Sequence, residues 1–297
     1  CGGDSFLADG RVLSAGGTGG YNPFRGRQDA TVFDLQTQQW SFVAKMRHGR
    51  WYPTLITLGD GRVLAATGLT EDFNEPHNET IEIYSPVTNT WELHEFFPDF
   101  PGLPLYAHLF LMMDGRIFFD GGRMVDDLQV DPCIFDFPHH PIHTAVVPGG
   151  SGGGMRNQSA SVLMPPAQDQ KVMLIGGGPA GKPNKTDAID NVDIVDLKDP
   201  NPHFVPGTPL NFPRLHLNAI LLPDRTIFVT GGSLKQEDAP LARLQSEIYD
   251  PATGVWSLTA VSTVPRLYHS TALLLPDGWV VTAGGNPEGG SHVKWDQ

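Results

Sequence analysis

Six times along the chain an apolar run meets a short polar turn and resumes as a second apolar run that closes on glycine. The blocks read FLADGRVLSAGG, ITLGDGRVLAATG, LFLMMDGRIFFDGG, LMPPAQDQKVMLIGGG, ILLPDRTIFVTGG and LLLPDGWVVTAGG. Their turn aspartates, Asp9, Asp60, Asp114, Asp169, Asp224 and Asp277, lie 51 to 55 residues apart. Asp-Gly between two strand-like runs is a strong local hairpin signal, because the turn needs a residue at positive φ. The closing glycines suit a bend or a close backbone approach. No stretch of useful length repeats with the period of a helix.

A second element follows three of the hairpins. An aromatic stands seven residues before a Trp at Phe33 and Trp40, Tyr84 and Trp91, and Tyr249 and Trp256, with the turn-forming LQTQQ, SPVTNT and DPATGV between them. Each repeat therefore predicts two inner strands, a loop and two outer strands. The third and fourth repeats are degenerate, with CIFDF and DIVDL at the outer-strand position and no following Trp. A four-stranded unit of about 50 residues with Gly-Gly and a late Trp is a kelch-type blade. The expected fold is all-β, a kelch-type β-propeller over 1–297. Six hairpins fit a ring of six, or a ring of seven that has lost sequence at its ends. The abrupt ends favour the second.

Composition narrows the function classes. Glycine (34) and proline (26) fit a turn-rich all-β chain, and the glycine has no G-X-Y period. The 40% apolar content excludes disorder. The net charge is −13 and no basic run occurs, which argues against nucleic acid, since phosphate neutralisation needs clustered Lys and Arg. No apolar run is long enough to span a membrane. Two cysteines cannot build a disulfide scaffold. The chain starts at Cys1 with no initiator Met or signal peptide, and a mature or truncated piece is expected.

Blades are related by rotation, so equivalent positions form a ring around the axis. Eight residues before the turn aspartate stand Cys1, Tyr52, Tyr106, His216 and His269, with Tyr268 beside His269. The fourth repeat has a longer turn and leaves its register open between Asn157 and Ser161. A single Tyr or His at a strand start is ordinary packing, and a lone buried Cys is usually inert. A thiol, phenols and imidazoles at five of six registered positions form a candidate site. Nitrogen and oxygen donors in this mix suit Cu(II) better than zinc or calcium.

RWYPT at Arg50 to Thr54, LYAHLFLMMDGRIFF at Leu105 to Phe119 and RLYHSTALLLPDG at Arg266 to Gly278 resemble the glyoxal oxidase and galactose oxidase family of copper-radical oxidases. So does a Cys heading a hairpin about 50 residues before the first Tyr. The glyoxal oxidase branch is the closer. The resemblance implies that Cys1 and Tyr52 form a thioether-crosslinked cofactor that carries a radical and binds copper. It implies Tyr268 as the axial ligand that accepts the substrate proton, and His269 as an equatorial ligand. The activity implied is oxidation of small aldehydes, as hydrates, or primary alcohols, with dioxygen reduced to hydrogen peroxide. A secreted, monomeric protein follows from the same resemblance.

Two departures stand out. The family's second His ligand comes from a β-sandwich domain beyond the propeller, and that domain is not expected in this chain. His292 is not read as its replacement. The galactose oxidase branch has a Trp eighteen residues beyond the crosslinked Tyr, where this chain has Thr70, so a different radical lifetime is expected and galactose is disfavoured as substrate. Tyr106 and His216 are assigned to the pocket wall. Arg156 is a candidate for orienting a substrate oxygen, against a reading as a solvated surface Arg. His139, His140 and His143 read as a surface loop, GSGGGM near Ser151 as an inter-blade loop, and the sequons at Asn78, Asn157 and Asn184 as compatible with secretion. Cys133 has no evident partner. The rival reading is a non-catalytic kelch propeller that binds carbohydrate or protein.

Overall fold

The computed structural model describes residues 1–72, 77–94, 102–123, 130–136, 144–151, 156–179, 187–235 and 237–285. The fold is all-β, of the kelch-type propeller class, and five four-stranded antiparallel meanders are its blades. Short 3-10 turns stand at Ala167–Asp169 and Ala239–Leu241. The chain divides into two compact units, Cys1–Phe119 with Asp126–Ala145, and Asp120–Val125 with Val146–Gln297.

The first unit carries three sheets. The first runs Gly2–Phe6, Val12–Gly16, Ala30–Asp34 and Gln39–Phe42. The second runs Thr54–Thr57, Val63–Ala66, Ile81–Ser85 and Thr90–His94. The third runs Leu109–Leu111, Ile117–Phe119, Cys133–Phe135 and Thr144–Val146. Strand alternation explains how the second sheet serves two neighbours. Val63 and Ala65 pack with Leu13, Ala15 and Val32 of the first sheet, whereas Leu64 and Ala66 pack with Leu109, Ile117 and Phe119 of the third. All four residues of that strand are buried, so it reads as a continuous apolar run.

The second unit carries two complete sheets. One is Ala160–Leu163, Lys171–Ile175, Val192–Asp196 and Phe204–Pro206, and the other is Leu215–Leu221, Ile227–Ser233, Gln245–Asp250 and Val255–Val261. The sixth hairpin, Ser270–Leu274 with Val280–Gly284, is a two-stranded sheet.

The six hairpins lie where the pattern places them, and CIFDF and DIVDL contribute third strands despite lacking the late Trp. In five of the hairpin turns the aspartate carboxylate accepts the backbone N–H two residues on, at 3.0–3.1 Å. These are Asp9, Asp60, Asp114 and Asp277 in Asp-Gly turns, and Asp224, where Arg225 takes the glycine's place. Gly10 at φ +88° sits in the left-handed region that closes a three-residue hairpin loop.

The aromatic–Trp spacing of seven makes cross-strand partners. Phe33 opposes Trp40, Tyr84 opposes Trp91 and Tyr249 opposes Trp256, with ring centroids 5.0–5.1 Å apart. The indole then reaches the preceding sheet. Trp91 Nε1–H donates to Ala44 O at 2.7 Å, and Trp256 Nε1–H donates to Thr208 O at 2.9 Å.

Candidate functional site

The registered residues begin the inner strands, and those after Cys1 are held in the left-handed region. Tyr52, Tyr106, Gln158, His216 and His269 have φ between +51° and +66°. Few non-glycine residues tolerate this conformation, so five at one register mark a built feature. Gln158 settles the fourth repeat. Backbone bonds link successive positions inside each unit. Tyr52 N–H donates to Cys1 O at 2.9 Å, Tyr106 N–H to Tyr52 O at 3.2 Å, and His216 N–H to Gln158 O at 2.9 Å.

A buried arginine supports most of these positions. Arg50, Arg156 and Arg214 stand two residues before Tyr52, Gln158 and His216, and all three are fully buried. Each pairs with an equally buried carboxylate, Arg50 with Glu82, Arg156 with Asp193, and Arg214 with Glu247. Burial pushes each guanidinium below its ordinary pKa, and the paired carboxylate opposes that shift. The same side chains donate to Thr67 O, Gly176 O and Gly231 O at 2.9–3.0 Å, which satisfies the carbonyls where the second strand bends. Glycine is required at two of those bends. A Cβ on Gly176 would stand 2.7 Å from Arg214 O, and one on Gly231 would stand 2.7 Å from Arg266 O.

This overturns the assignment of Arg156. Its guanidinium is neither solvated nor open to a substrate, because Asp193, Gly176 O and Asn191 O take it up. The signal is present in the sequence, as an Arg recurring two residues before the ring position.

In the first unit Cys1 is an exposed free thiol at the chain start, and Tyr52 is buried. Tyr52 stacks on Trp51 at 3.6 Å and 18°, and on Tyr106 at 4.5 Å and 22°. The Tyr106 hydroxyl donates to Gly2 O at 3.1 Å. Side chains normally alternate along a strand, which would send Trp51 and Tyr52 apart. The positive φ at Tyr52 breaks the alternation and lays the two rings together. Thr70 instead hydrogen-bonds with Asp72 in its own loop. The indole that stacks on Tyr52 is that of Trp51, inside the RWYPT motif.

In the second unit the same device acts at Tyr268 and His269, whose rings stack at 3.8 Å and 27°. The His216 ring lies 5.2 Å from Tyr268. Burial pushes the His216 imidazole down to about 3, with His269 adding to the shift, so the ring is neutral over the ordinary range. Its Nδ1 is buried with no hydrogen-bond partner among the described residues. Burial also lowers His269. Neutral imidazole is the metal-binding form, and a phenol beside it supplies an oxygen donor, so Tyr268 and His269 fit a copper ion. No group of three His, Cys, Asp or Glu side chains among the described residues could hold a metal, so phenols are needed to complete such a site.

Other candidates fall away. Asn78 and Asn157 are buried, and Asn78 Nδ2 donates to Gly49 O at 3.1 Å, so neither is an open acceptor for a glycan. Cys133 is buried, and its thiol is pushed up to about 11. His139, His140, His143, Asn184, His292 and the run 152–155 lie outside the described residues.

The chain resembles known proteins over most of its length. The family model described as the glyoxal oxidase N-terminus matches residues 1–295. A WSC domain-containing protein of Arthroderma benhamiae is 29% identical over 268 residues, covering 82% of this chain and 27% of that protein. A galactose oxidase of Gibberella zeae is 25% identical over 301 residues, covering 96% of this chain and 42% of that protein. A fungal alcohol oxidase solved in complex with copper superposes with a TM-score of 0.77 at 25% identity, covering 97% of this chain and 58% of that one. The chain thus spans between about a quarter and three-fifths of the length of these relatives.

Proposed function

We propose that this chain, which belongs to the glyoxal oxidase N-terminus family of copper-radical oxidases, carries the redox centre of an oxidase for small aldehydes, as hydrates, or primary alcohols. The electron acceptor is dioxygen, and the product is hydrogen peroxide. The observation that carries the reading is Tyr52 held one backbone hydrogen bond from Cys1, its ring stacked on Trp51.

Tyr268 and His269, stacked in the second unit, would hold copper, and the family resemblance would add the Tyr52 phenol and a second imidazole as the other ligands. When bound, copper supplies a one-electron acceptor beside a one-electron protein radical. The chain's own residues do the rest. A Cys1–Tyr52 thioether, formed as dioxygen takes up the thiol hydrogen and one ring hydrogen, would lower the oxidation potential of the phenol. Tyr268 takes the proton of the substrate hydroxyl at its phenolic oxygen. Tyr52, as phenoxyl, takes the hydrogen atom from the substrate carbon and becomes a phenol. Within the second unit the neutral His216 ring, 5.2 Å from Tyr268, suits an uncharged hydroxyl better than a carboxylate or an amine, and the family resemblance would add Tyr106 to the same wall. Secretion and a monomeric state belong to the same proposal.

The test is peroxide release by copper-loaded full-length protein on methylglyoxal and on a primary alcohol. Release that is lost in Tyr268→Phe is expected. Release unchanged by Tyr268→Phe would overturn the role of Tyr268 as proton acceptor. No release from the wild type would favour a kelch module that binds carbohydrate or protein.

A further inference from the structure

Beyond the two rings already described, the stack on Tyr52 continues outward. Trp51 stacks on Phe24 at 4.5 Å and 25°, and Phe24 meets Tyr21 edge-on at 6.3 Å. Burial falls steadily along the series. Tyr52 is 2% exposed, Trp51 7%, Phe24 47% and Tyr21 72%. Four aromatic rings thus form one unbroken line from a buried phenol to solvent, all within the first unit.

The line is built into the fold. Tyr21 and Phe24 lie on a small hairpin, Thr18–Tyr21 with Phe24–Gly26, that serves no blade. Gly26 seats it against the Trp51 segment, because any Cβ there would strike Leu69 O and the backbone nitrogens of Arg50 and Trp51. Trp51 is pinned by paired bonds with Leu69, N–H to O at 2.9 Å in both directions. Its indole Nε1–H is buried and has no hydrogen-bond partner among the described residues. A buried polar group without a partner is costly, so its retention calls for an explanation.

We propose that Tyr52, Trp51, Phe24 and Tyr21 form an electron path through which an outer-sphere one-electron oxidant at the surface generates the Tyr52 radical without entering the substrate channel. The inference rests on Tyr52 being the radical site. One electron leaves the Tyr52 phenolate for Trp51, crosses the Phe24 ring to Tyr21, and reduces the oxidant by one electron. With copper bound, Tyr52 would already stand as the phenolate, so no proton moves with the electron. The unpartnered indole explains why the hole moves on. An oxidised indole is trapped by losing its N–H proton, and Trp51 has no acceptor among the described residues to take it. Phe24 is too hard to oxidise to hold the hole and acts as a bridge. The partner class is an outer-sphere one-electron oxidant that meets the exposed Tyr21 ring.

The experiment uses copper-loaded full-length protein reduced to its non-radical state and mixed with tris(bipyridine)osmium(III). Stopped-flow absorbance follows the appearance of the phenoxyl. Phe24→Leu and Tyr21→Leu, both at exposed positions, are expected to slow radical formation by about tenfold, an effect of ordinary size for a lost coupling. Turnover of enzyme that already carries the radical is expected to stay unchanged in both. Trp40→Leu removes an exposed ring off the path and is expected to change neither rate. Radical formation at the wild-type rate in both path variants would overturn the proposal. Absence of any phenoxyl in the wild type would instead overturn the radical assignment of Tyr52, and the path with it.

Discussion

Replacing Arg214 by Met tests the buried arginine series that sets the ring register. Arg214 and Glu247 have fully buried side chains. Glu247 accepts from Arg214 Nε at 3.2 Å and Nη2 at 3.0 Å, and from Asn211 N and Nδ2 at 2.7 and 2.8 Å. Arg214 also donates to Gly231 O at 2.9 Å and to Gln245 O. Removal leaves one carboxylate short of its counter-charge and three carbonyls, those of Gly231, Arg243 and Gln245, short of a donor. Breaking a buried pair from one side costs about 3–5 kcal/mol. In a unit of this size that converts to a fall in Tm of roughly 6–20 °C. Urea unfolding and calorimetry read both figures. Arg214→Met with Glu247→Leu removes the stranded charge, and it is expected to cost no more than Arg214→Met alone. A single-variant cost under about 1 kcal/mol, the figure for exposed pairs, would refute the claim that this pair is desolvated.

Other expectations follow from the same geometry. Gly176→Ala puts a Cβ 2.7 Å from Arg214 O at a backbone φ of +58°, and it is expected to destabilise by about 1–3 kcal/mol in urea titration. Trp91→Phe loses the bond to Ala44 O and is expected to cost about 1 kcal/mol beyond lost packing. Trp40→Phe changes a half-exposed ring, so its unfolding midpoint should stay within error of the wild type. Thiol alkylation should label Cys1 in the folded chain before any crosslink forms. Cys133, whose folded-state thiol is pushed up to about 11, should label only on unfolding or as pH approaches that value. Fast labelling of Cys133 at neutral pH in the folded protein would contradict its burial.

Much of the fold is legible in the sequence because its determinants are local. Each Asp-Gly turn bonds within its own hairpin, and the spacing of seven directly encodes a cross-strand pair such as Tyr84 with Trp91. The register of the site is legible for the same reason, since it is counted from those turns. The fourth repeat resists, because its turn is rebuilt around Ala167–Asp169 and shifts the count. The role of Trp51 is hidden although the residue lies inside the motif that identifies Tyr52. Strand alternation places neighbours on opposite faces, and nothing local announces the φ of +66° that cancels it. Arg156 misleads because its carboxylate, Asp193, stands 37 residues away and only the folded sheet brings them together. The asparagine sequons are similarly local as text and non-local in burial, as the bond from Asn78 to Gly49 shows.

The proposed chemistry turns on Cys1 and Tyr52. Peptide mass mapping of the full-length protein, matured with copper and oxygen, tests it most directly. The expected product is one peptide pair joined through Cys1 and Tyr52, lighter by two hydrogens than the separate peptides and resistant to thiol reductants. Two separate peptides, with the Cys1 thiol still free to alkylate after copper and oxygen, would contradict it.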